Sequence, residues 1–267
     1  MTHSLRIATR NSPLALRQTE LFAKRLKQHW PLLDIELLPM TTQGDQLLDK
    51  KLQYWGGKGL FVKELEQAML ENRADIAVHS MKDVPAQLPQ GLRLACICQR
   101  DNPLDALVTI EPKALTALPQ GAIIGTSSLR RQAQLLALRP DFQIQTLRGN
   151  IHTRLEKLKT QTYNAIILAC AGLERMGLKN PHYQPLDIQT MLPACGQGAI
   201  GIECRSDDES ILKLLSPLHH APTAICVETE RAVNAYLGGH CHVPIAIFAQ
   251  ILDEHIDLKA KVLAPNG

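Results

Sequence analysis

Aromatic residues make up only 4% of the 267 residues, and none stands inside the arginine-bearing loops where a nucleobase could stack. Platforms for single-stranded nucleic acid are therefore missing. Long apolar runs are missing too: none approaches the roughly 18 residues that span a bilayer. The opening Met1-Thr2-His3-Ser4-Leu5-Arg6 shows no signal-peptide pattern. GxxxxGK[ST] does not occur, which excludes the common phosphate loop. Gly56-Gly57-Lys58-Gly59 lacks the Ser/Thr and the preceding strand of a phosphate loop, so it reads as a flexible loop. A net charge of +3 is too small to name a partner, and no repeat or low-complexity tract is visible.

What is present is an apolar content of 45%, enough to build the cores of two or three domains. Seven cysteines, an odd number, argue for reduced thiols and a cytoplasmic protein. Strand-like and helix-like segments alternate, the pattern of α/β layers. Leu5 to Thr9 and Ile35 to Met40 read as strands. Pro13 to His29 reads as a helix with Ser12 at its N-cap and Pro at its first position. A helix from about Leu60 to Asn72, a strand from Ala74 to His79 and a strand from Leu92 to Cys98 follow. The polar Gln99-Arg100-Asp101-Asn102-Pro103 predicts a crossing between domains, and so does Leu192 to Gly198. Between them lie strands at Ala122–Gly125, Gln143–Leu147 and Ala165–Ala169, with helices at Leu129–Leu138 and Ile151–Lys159. A strand at Ala199–Cys204, a helix from Thr223 to Leu237 and two final strands, Val243–Leu252 and Ile256–Leu263, complete the reading.

Two features carry chemistry. Lys82-Asp83 follows the apolar run Ala74 to His79, and Pro85 bars simple continuation into a helix. That places a carboxylate on a turn at the carboxyl end of a strand, the edge where α/β sheets bind ligands. Second, one arrangement occurs three times: a strand, a few Ser/Thr/Arg/Gly residues, then a helix start. The three are Ile7-Ala8-Thr9-Arg10-Asn11-Ser12-Pro13, Ile124-Gly125-Thr126-Ser127-Ser128-Leu129-Arg130-Arg131 and Thr146-Leu147-Arg148-Gly149-Asn150-Ile151-His152-Thr153-Arg154. Helix N-termini offer unpaired N–H groups, and arginine adds a planar fork suited to carboxylates. One such unit is ordinary capping beside a surface arginine. Three of them point to a ligand with several negative groups.

Among the cysteines, Cys241 sits in Leu237-Gly238-Gly239-His240-Cys241-His242-Val243-Pro244, on a turn with an imidazole on either side. A nearby imidazolium would raise its thiolate fraction. Adjacent residues rarely aim three ligands at one ion, so His-Cys-His is not read as a metal site. Cys96-Ile97-Cys98 is read as alternating across a strand, with its thiols turned to opposite faces. Cys170, Cys195, Cys204 and Cys226 read as packing residues. These residues alone leave open a cytosolic polycarboxylate-binding module without turnover, or an acyl transferase with Cys241 as nucleophile. The second lacks a visible base and oxyanion hole.

Arg6 to Leu16, Gly56 to Glu66, Asn72 to Pro85, Gly125 to Gln132, Leu147 to Arg154, Ala165 to Arg175, Leu192 to Arg205 and the Cys241 region resemble, in order, the porphobilinogen deaminase (hydroxymethylbilane synthase) family of tetrapyrrole biosynthesis. The resemblance implies two periplasmic-binding-protein-like (type II) α/β domains and a smaller α+β domain. Domain 1 would take residues 1–98 with 199–217, domain 2 residues 99–198 and domain 3 residues 218–267. By this likeness the chain stops at Gly267 partway through domain 3. It also implies a cytoplasmic, monomeric transferase of porphyrin and heme biosynthesis, acting on porphobilinogen without nucleic acid or membrane. Four porphobilinogens would be joined head to tail, each losing ammonia, on a dipyrromethane cofactor held by a thioether to Cys241.

Residue by residue, the resemblance makes Asp83 the catalytic carboxylate. It gives Arg10, Ser12, Arg148, Arg154 and Arg175 the substrate or growing-chain carboxylates, and Lys82, Thr126, Ser127, Ser128, Arg130 and Arg131 the cofactor's acid groups. Three departures stand out. His240 and Gly238 alter the Leu-Glu-Gly-Gly usual before the cysteine, Tyr54 stands where a lysine is common, and the chain ends early.

Overall fold

The computed structural model describes residues 4–46, 59–160, 163–178, 182–239 and 243–267. They fall into two compact units, residues 1–100 with 199–228 and residues 101–198 with 229–267. The described residues form two five-stranded sheets and one two-stranded hairpin.

The first unit contains β1 (Leu5–Arg10), α1 (Pro13–His29), β2 (Ile35–Met40), α2 (Gln43–Gln46), α3 (Lys63–Leu70), β3 (Ile76–Ser80) and β4 (Leu92–Ile97). Its sheet has the order β2-β1-β3-β10-β4, where β10 (Ile200–Arg205) is contributed after the chain returns. β1, β2 and β3 run parallel, while β10 lies antiparallel to both β3 and β4. Period-2 alternation sorts the strand residues to two faces. Ile7, Ile76, Val78, Cys96 and Ile202 pack with Phe22 and Leu26 of α1, while Ala8 and Ala77 pack with Leu65, Ala68 and Met69 of α3. Pro39 is tolerated in β2 because that strand is an edge. α1 begins as its sequence predicts: the Ser12 hydroxyl accepts from the Ala15 N–H at 3.3 Å, with Pro13 at the first position.

The second unit repeats the plan with β5 (Asp105–Thr109), β6 (Ile123–Gly125), α4 (Leu129–Leu138), β7 (Gln143–Gln145), α5 (Ile151–Thr160), β8 (Ala165–Ala169), α6 (Cys170–Arg175) and β9 (His182–Leu186). The order is β7-β6-β8-β5-β9, again with one internal strand, β5, antiparallel to its neighbours. In each sheet the antiparallel strand is the first one after the chain crosses between units. This is the type II periplasmic-binding-protein-like arrangement. α7 (Glu209–Leu215) closes the first unit, and α8 (Ala221–Tyr236) leads to the hairpin β11 (Ile245–Leu252) and β12 (His255–Val262). Leu192 packs with Ala246 and Phe248 of β11. The fully buried Glu230 accepts N–H bonds from Gly196 (2.6 Å) and Ala249 (2.8 Å), tying α8 to the hairpin and the 193–198 segment.

Several readings change. The helix expected over Leu60 to Asn72 is regular only over Lys63–Leu70, because a turn anchored on Gly59 (φ +78°) precedes it and Asn72 (φ 58°) leaves it in the left-handed region. The short strands β5 and β9 carry Asp105 and Pro185, which hide them from an apolar-run reading. Cys96 and Cys98 share a face, as residues two apart on a strand must, and their sulfurs lie 4.0 Å apart. The neighbouring thiol, then burial, drives the Cys96 pKa far up. Cys170, Cys204 and Cys226 are buried and Cys195 half-buried. Burial pushes Cys170 up to about 12 and Cys204 up to about 11, so neither is an activated thiol.

Candidate active site

In the first unit the site is built where β1 and β3 end. β3 stops at Ser80, and Met81–Asp83 form a single 3₁₀ turn. Val84, held extended before Pro85, prevents that turn from growing into a helix. The turn is pinned from below: the Met81 N–H donates to Ala199 O at 3.0 Å. The buried Met81 side chain fills the space over Gly201, where any Cβ would collide with its sulfur. Asp83 is thereby presented with its side chain 35% exposed.

Arg10, the last residue of β1, reaches the same place. Its Nη1 lies 3.9 Å from Asp83 Oδ2, its Nε donates to Asp45 Oδ2 at 3.3 Å, and its Nη2 pairs with Asp45 Oδ1. The guanidinium carbon sits 4.3 Å from the centre of the Phe61 ring. Burial works to raise the Asp45 pKa, but the bonds from Arg10 and Thr42 outweigh it and leave the carboxyl below its ordinary value. Arg10, Ser12, Gln18, Phe61, Lys82 and Asp83 line a cavity of ≈ 70 Å³, in which Ser80 Oγ donates to Gln18 Oε1 at 3.1 Å. A fixed cation, a carboxylate and a helix N-terminus therefore converge on one small space.

In the second unit the site is the start of α4. Ser128 caps it, accepting from the Arg131 N–H at 3.4 Å, and its own N–H donates to Thr126 Oγ1 at 3.2 Å. Ser127 donates to Leu147 O at 2.7 Å. Arg130 and Arg131 are both buried, and both engage Asp105, which is wholly buried at the start of β5. Arg131 gives Asp105 Oδ1 two bonds, at 3.0 and 2.7 Å, and a third bond, at 2.9 Å, to Ile167 O. Arg130 bonds Leu192 O at 2.6 Å and lies 2.7 Å from Asp105 Oδ2. Burial alone would raise the Asp105 pKa; the two arginines overcome it and hold it at about 2.

One carboxylate facing two guanidinium groups leaves positive charge in excess. Its effect reaches Arg154, whose pKa falls to about 10, first from burial and then from Arg131 and Arg148. Arg154 Nε is spent on Gly149 O at 2.8 Å. This cationic surplus suits the acid groups of a dipyrromethane, so the residues present fit that cofactor. Arg175 is different: Nε binds Asp101 Oδ2 at 2.7 Å and Nη2 binds Gly198 O at 2.6 Å, fastening α6 to the two crossing segments.

The structure thus brings Arg10, Ser12, Lys82 and Asp83 together in one unit. In the other it gathers Thr126, Ser127, Ser128, Arg130 and Arg131, with Arg148 and Arg154 coupled to them by charge. Cys241, His240 and Tyr54 lie outside the described residues. Sequence reasoning missed Asp45, Phe61, Gln18 and Asp105. A signal existed for two of them: Gln18 interrupts the apolar face of α1, and Asp105 opens an otherwise apolar run.

Residues 5–213 match the family model described as porphobilinogen deaminase, dipyromethane cofactor binding domain. Residues 224–267 match that of the porphobilinogen deaminase C-terminal domain. The chain is 59% identical over 264 residues to the porphobilinogen deaminase of Legionella pneumophila strain Lens, covering 98% of this chain and 85% of that one. It is 60% identical over the same length to that of strain Paris, with the same coverage. With this likeness along nearly its whole length, the chain belongs to the porphobilinogen deaminase family.

Proposed function

We propose that this chain is a transferase joining four porphobilinogen molecules head to tail, each with loss of ammonia, and releasing them by hydrolysis with one water as hydroxymethylbilane, with Asp83 as the acting carboxylate. The observation that carries the reading is Asp83 held beside Arg10 on a rigid turn, in a cavity that a helix N-terminus also enters. Each porphobilinogen carries an acetate and a propionate, which Arg10 and the Ser12 end of α1 would bind. The substrate's C–N bond breaks with its electron pair leaving on ammonia, and the methylene carbon becomes cationic. Asp83 stabilises that cation electrostatically and accepts the pyrrole N–H. The new carbon–carbon bond then forms, and the proton displaced from the attacked pyrrole carbon passes to Asp83. When bound, the dipyrromethane supplies the free pyrrole carbon at which the first unit is added.

Thr126, Ser127, Ser128, Lys82, Arg130 and Arg131 would hold the cofactor's acid groups, and Arg148, Arg154 and Arg175 the carboxylates of the growing chain. Arg130 and Arg131 would do so with the donors left over from Asp105. Cys241 is the proposed attachment point. The same reading makes the protein a cytoplasmic monomer, with porphobilinogen as its partner and no nucleic acid. It keeps the smaller domain at residues 218–267. No helix among the described residues is long and apolar enough to cross a membrane. Intact-mass measurement tests the attachment: an adduct of dipyrromethane mass on the purified protein, absent from Cys241→Ser, is the expected result. An unmodified mass for both proteins sinks it.

A further inference from the structure

Beneath the Asp83 turn, on the face of the first sheet that α3 covers, three ionisable side chains are buried together. His79 shares that face of β3 with Ala77. Glu203 on β10 is the register partner of Ala77, so it emerges beside His79. Nε2 of His79 lies 3.0 Å from Oε2 of Glu203, which is 0% exposed. The other oxygen of Glu203, Oε1, is buried without a hydrogen bond. Glu66 belongs to the buried face of α3, which packs on β1, β3 and β10.

Burial, then the Glu203 charge, lifts the Glu66 pKa to about 7, against the pull of His79 and Lys63. The charged groups facing Glu66 are thus Lys63 on its own helix, His79 on β3 and Glu203 on β10. Two carboxyl groups stand behind one imidazole, and a second buried negative charge is costly, so Glu66 keeps its proton below neutrality. His79 also lines the cavity that holds Asp83, four residues farther along the same segment.

We infer that His79, Glu203 and Glu66 form a buried support for Asp83, in which His79 and Glu203 fix the end of β3. Release of the Glu66 proton adds one negative charge behind the cavity. That charge favours the cation developing on the substrate, so turnover rises as the cluster loses its proton. Glu203 and Glu66 lie outside the cavity lining, and all three act through Asp83 as positioning residues. The inference rests on the proposed role of Asp83.

The test is kcat against pH for the cofactor-loaded enzyme, together with a ¹³C NMR titration of the Glu66 carboxyl. Wild type is expected to gain about 3- to 10-fold in kcat through an ionisation near 7, with KM steady. Glu66→Gln is expected to lose that rise and stay at the low value. Glu203→Gln should move the Glu66 midpoint to lower pH, a readout that needs no turnover. A Glu66→Gln profile superimposed on wild type overturns the inference, as does a Glu66 midpoint unmoved by Glu203→Gln. An Asp83→Asn enzyme that turns over normally would instead remove the reading of Asp83, while the NMR titration still reports on the cluster.

Discussion

Arg10 serves two carboxylates at once: it pairs closely with Asp45 and holds Asp83 at 3.9 Å. The guanidinium is therefore aimed before any ligand arrives, and Asp45 already takes up the Nε/Nη2 edge of its fork. Phe61 beneath the guanidinium limits where else it can go.

Replacing Asp83 by Asn keeps shape and removes charge. The expected result is a fall in kcat of about 10²- to 10⁴-fold with KM changed less than several-fold, because the lost interaction is made only to the developing cation. Steady-state kinetics on cofactor-loaded Asp83→Asn decides it; near-normal kcat refutes the role.

Asp45→Asn should release Arg10 to the substrate. A part-exposed ion pair contributes on the order of 0.5–1 kcal/mol, so KM should fall about 2- to 5-fold while kcat stays within two-fold. A raised KM would mean that Asp45 chiefly aims Arg10 rather than competing for it.

Asp105→Asn leaves two buried guanidinium groups without their shared counter-charge. Breaking such a pairing costs about 3–5 kcal/mol, which for a chain of this size is a Tm lower by roughly 6–20 °C. Differential scanning calorimetry measures it. An unchanged Tm would show that the backbone carbonyls of Ile167 and Leu192 satisfy both arginines alone.

Stability should fall as pH rises through neutrality. The folded-state pKa of Glu66 is raised to about 7 from an ordinary 4.5. The native state therefore binds the extra proton between those values, and the benefit, complete below 4.5, is lost as pH climbs to 7. The loss is roughly 1–3 kcal/mol after solvent screening. Denaturant midpoints measured from pH 5 to 8 should drop in wild type and stay level in Glu66→Gln. Asp105, depressed to about 2, acts in the opposite sense and withdraws its contribution only in acid, as pH falls from about 4 through 2.

Local chemistry made much of this legible from sequence. Ser12-Pro13 marks the start of α1, and Val84-Pro85 marks the end of the Asp83 turn, because capping and proline sterics act within a few residues. What stayed hidden depends on partners far along the chain. Asp105 looks like a surface acid until Arg130 and Arg131 meet it, 25 and 26 residues later. Glu66, on a helix face with polar neighbours, gives no hint of Glu203, and His79 none of its imidazole–carboxylate bond 124 residues away. The Cys96 and Cys98 thiols were misread for a different reason: strand period 2 returns residues i and i+2 to the same face.

The placement of β10 between β3 and β4 sets an order of events at the ribosome. The first sheet is incomplete until Ile200 to Arg205 exist, about 100 residues after β4 has emerged, or roughly 5–20 s of synthesis. Until then the edge of β3 is open, Met81 has no Ala199 to bind, and Glu203 is not there to meet His79. The Asp83 turn is thus among the last parts of its unit to settle. Nascent chains halted before residue 199 should be cleaved by protease near Asp83, whereas chains halted well past residue 228, with the first unit clear of the ribosome, should resist.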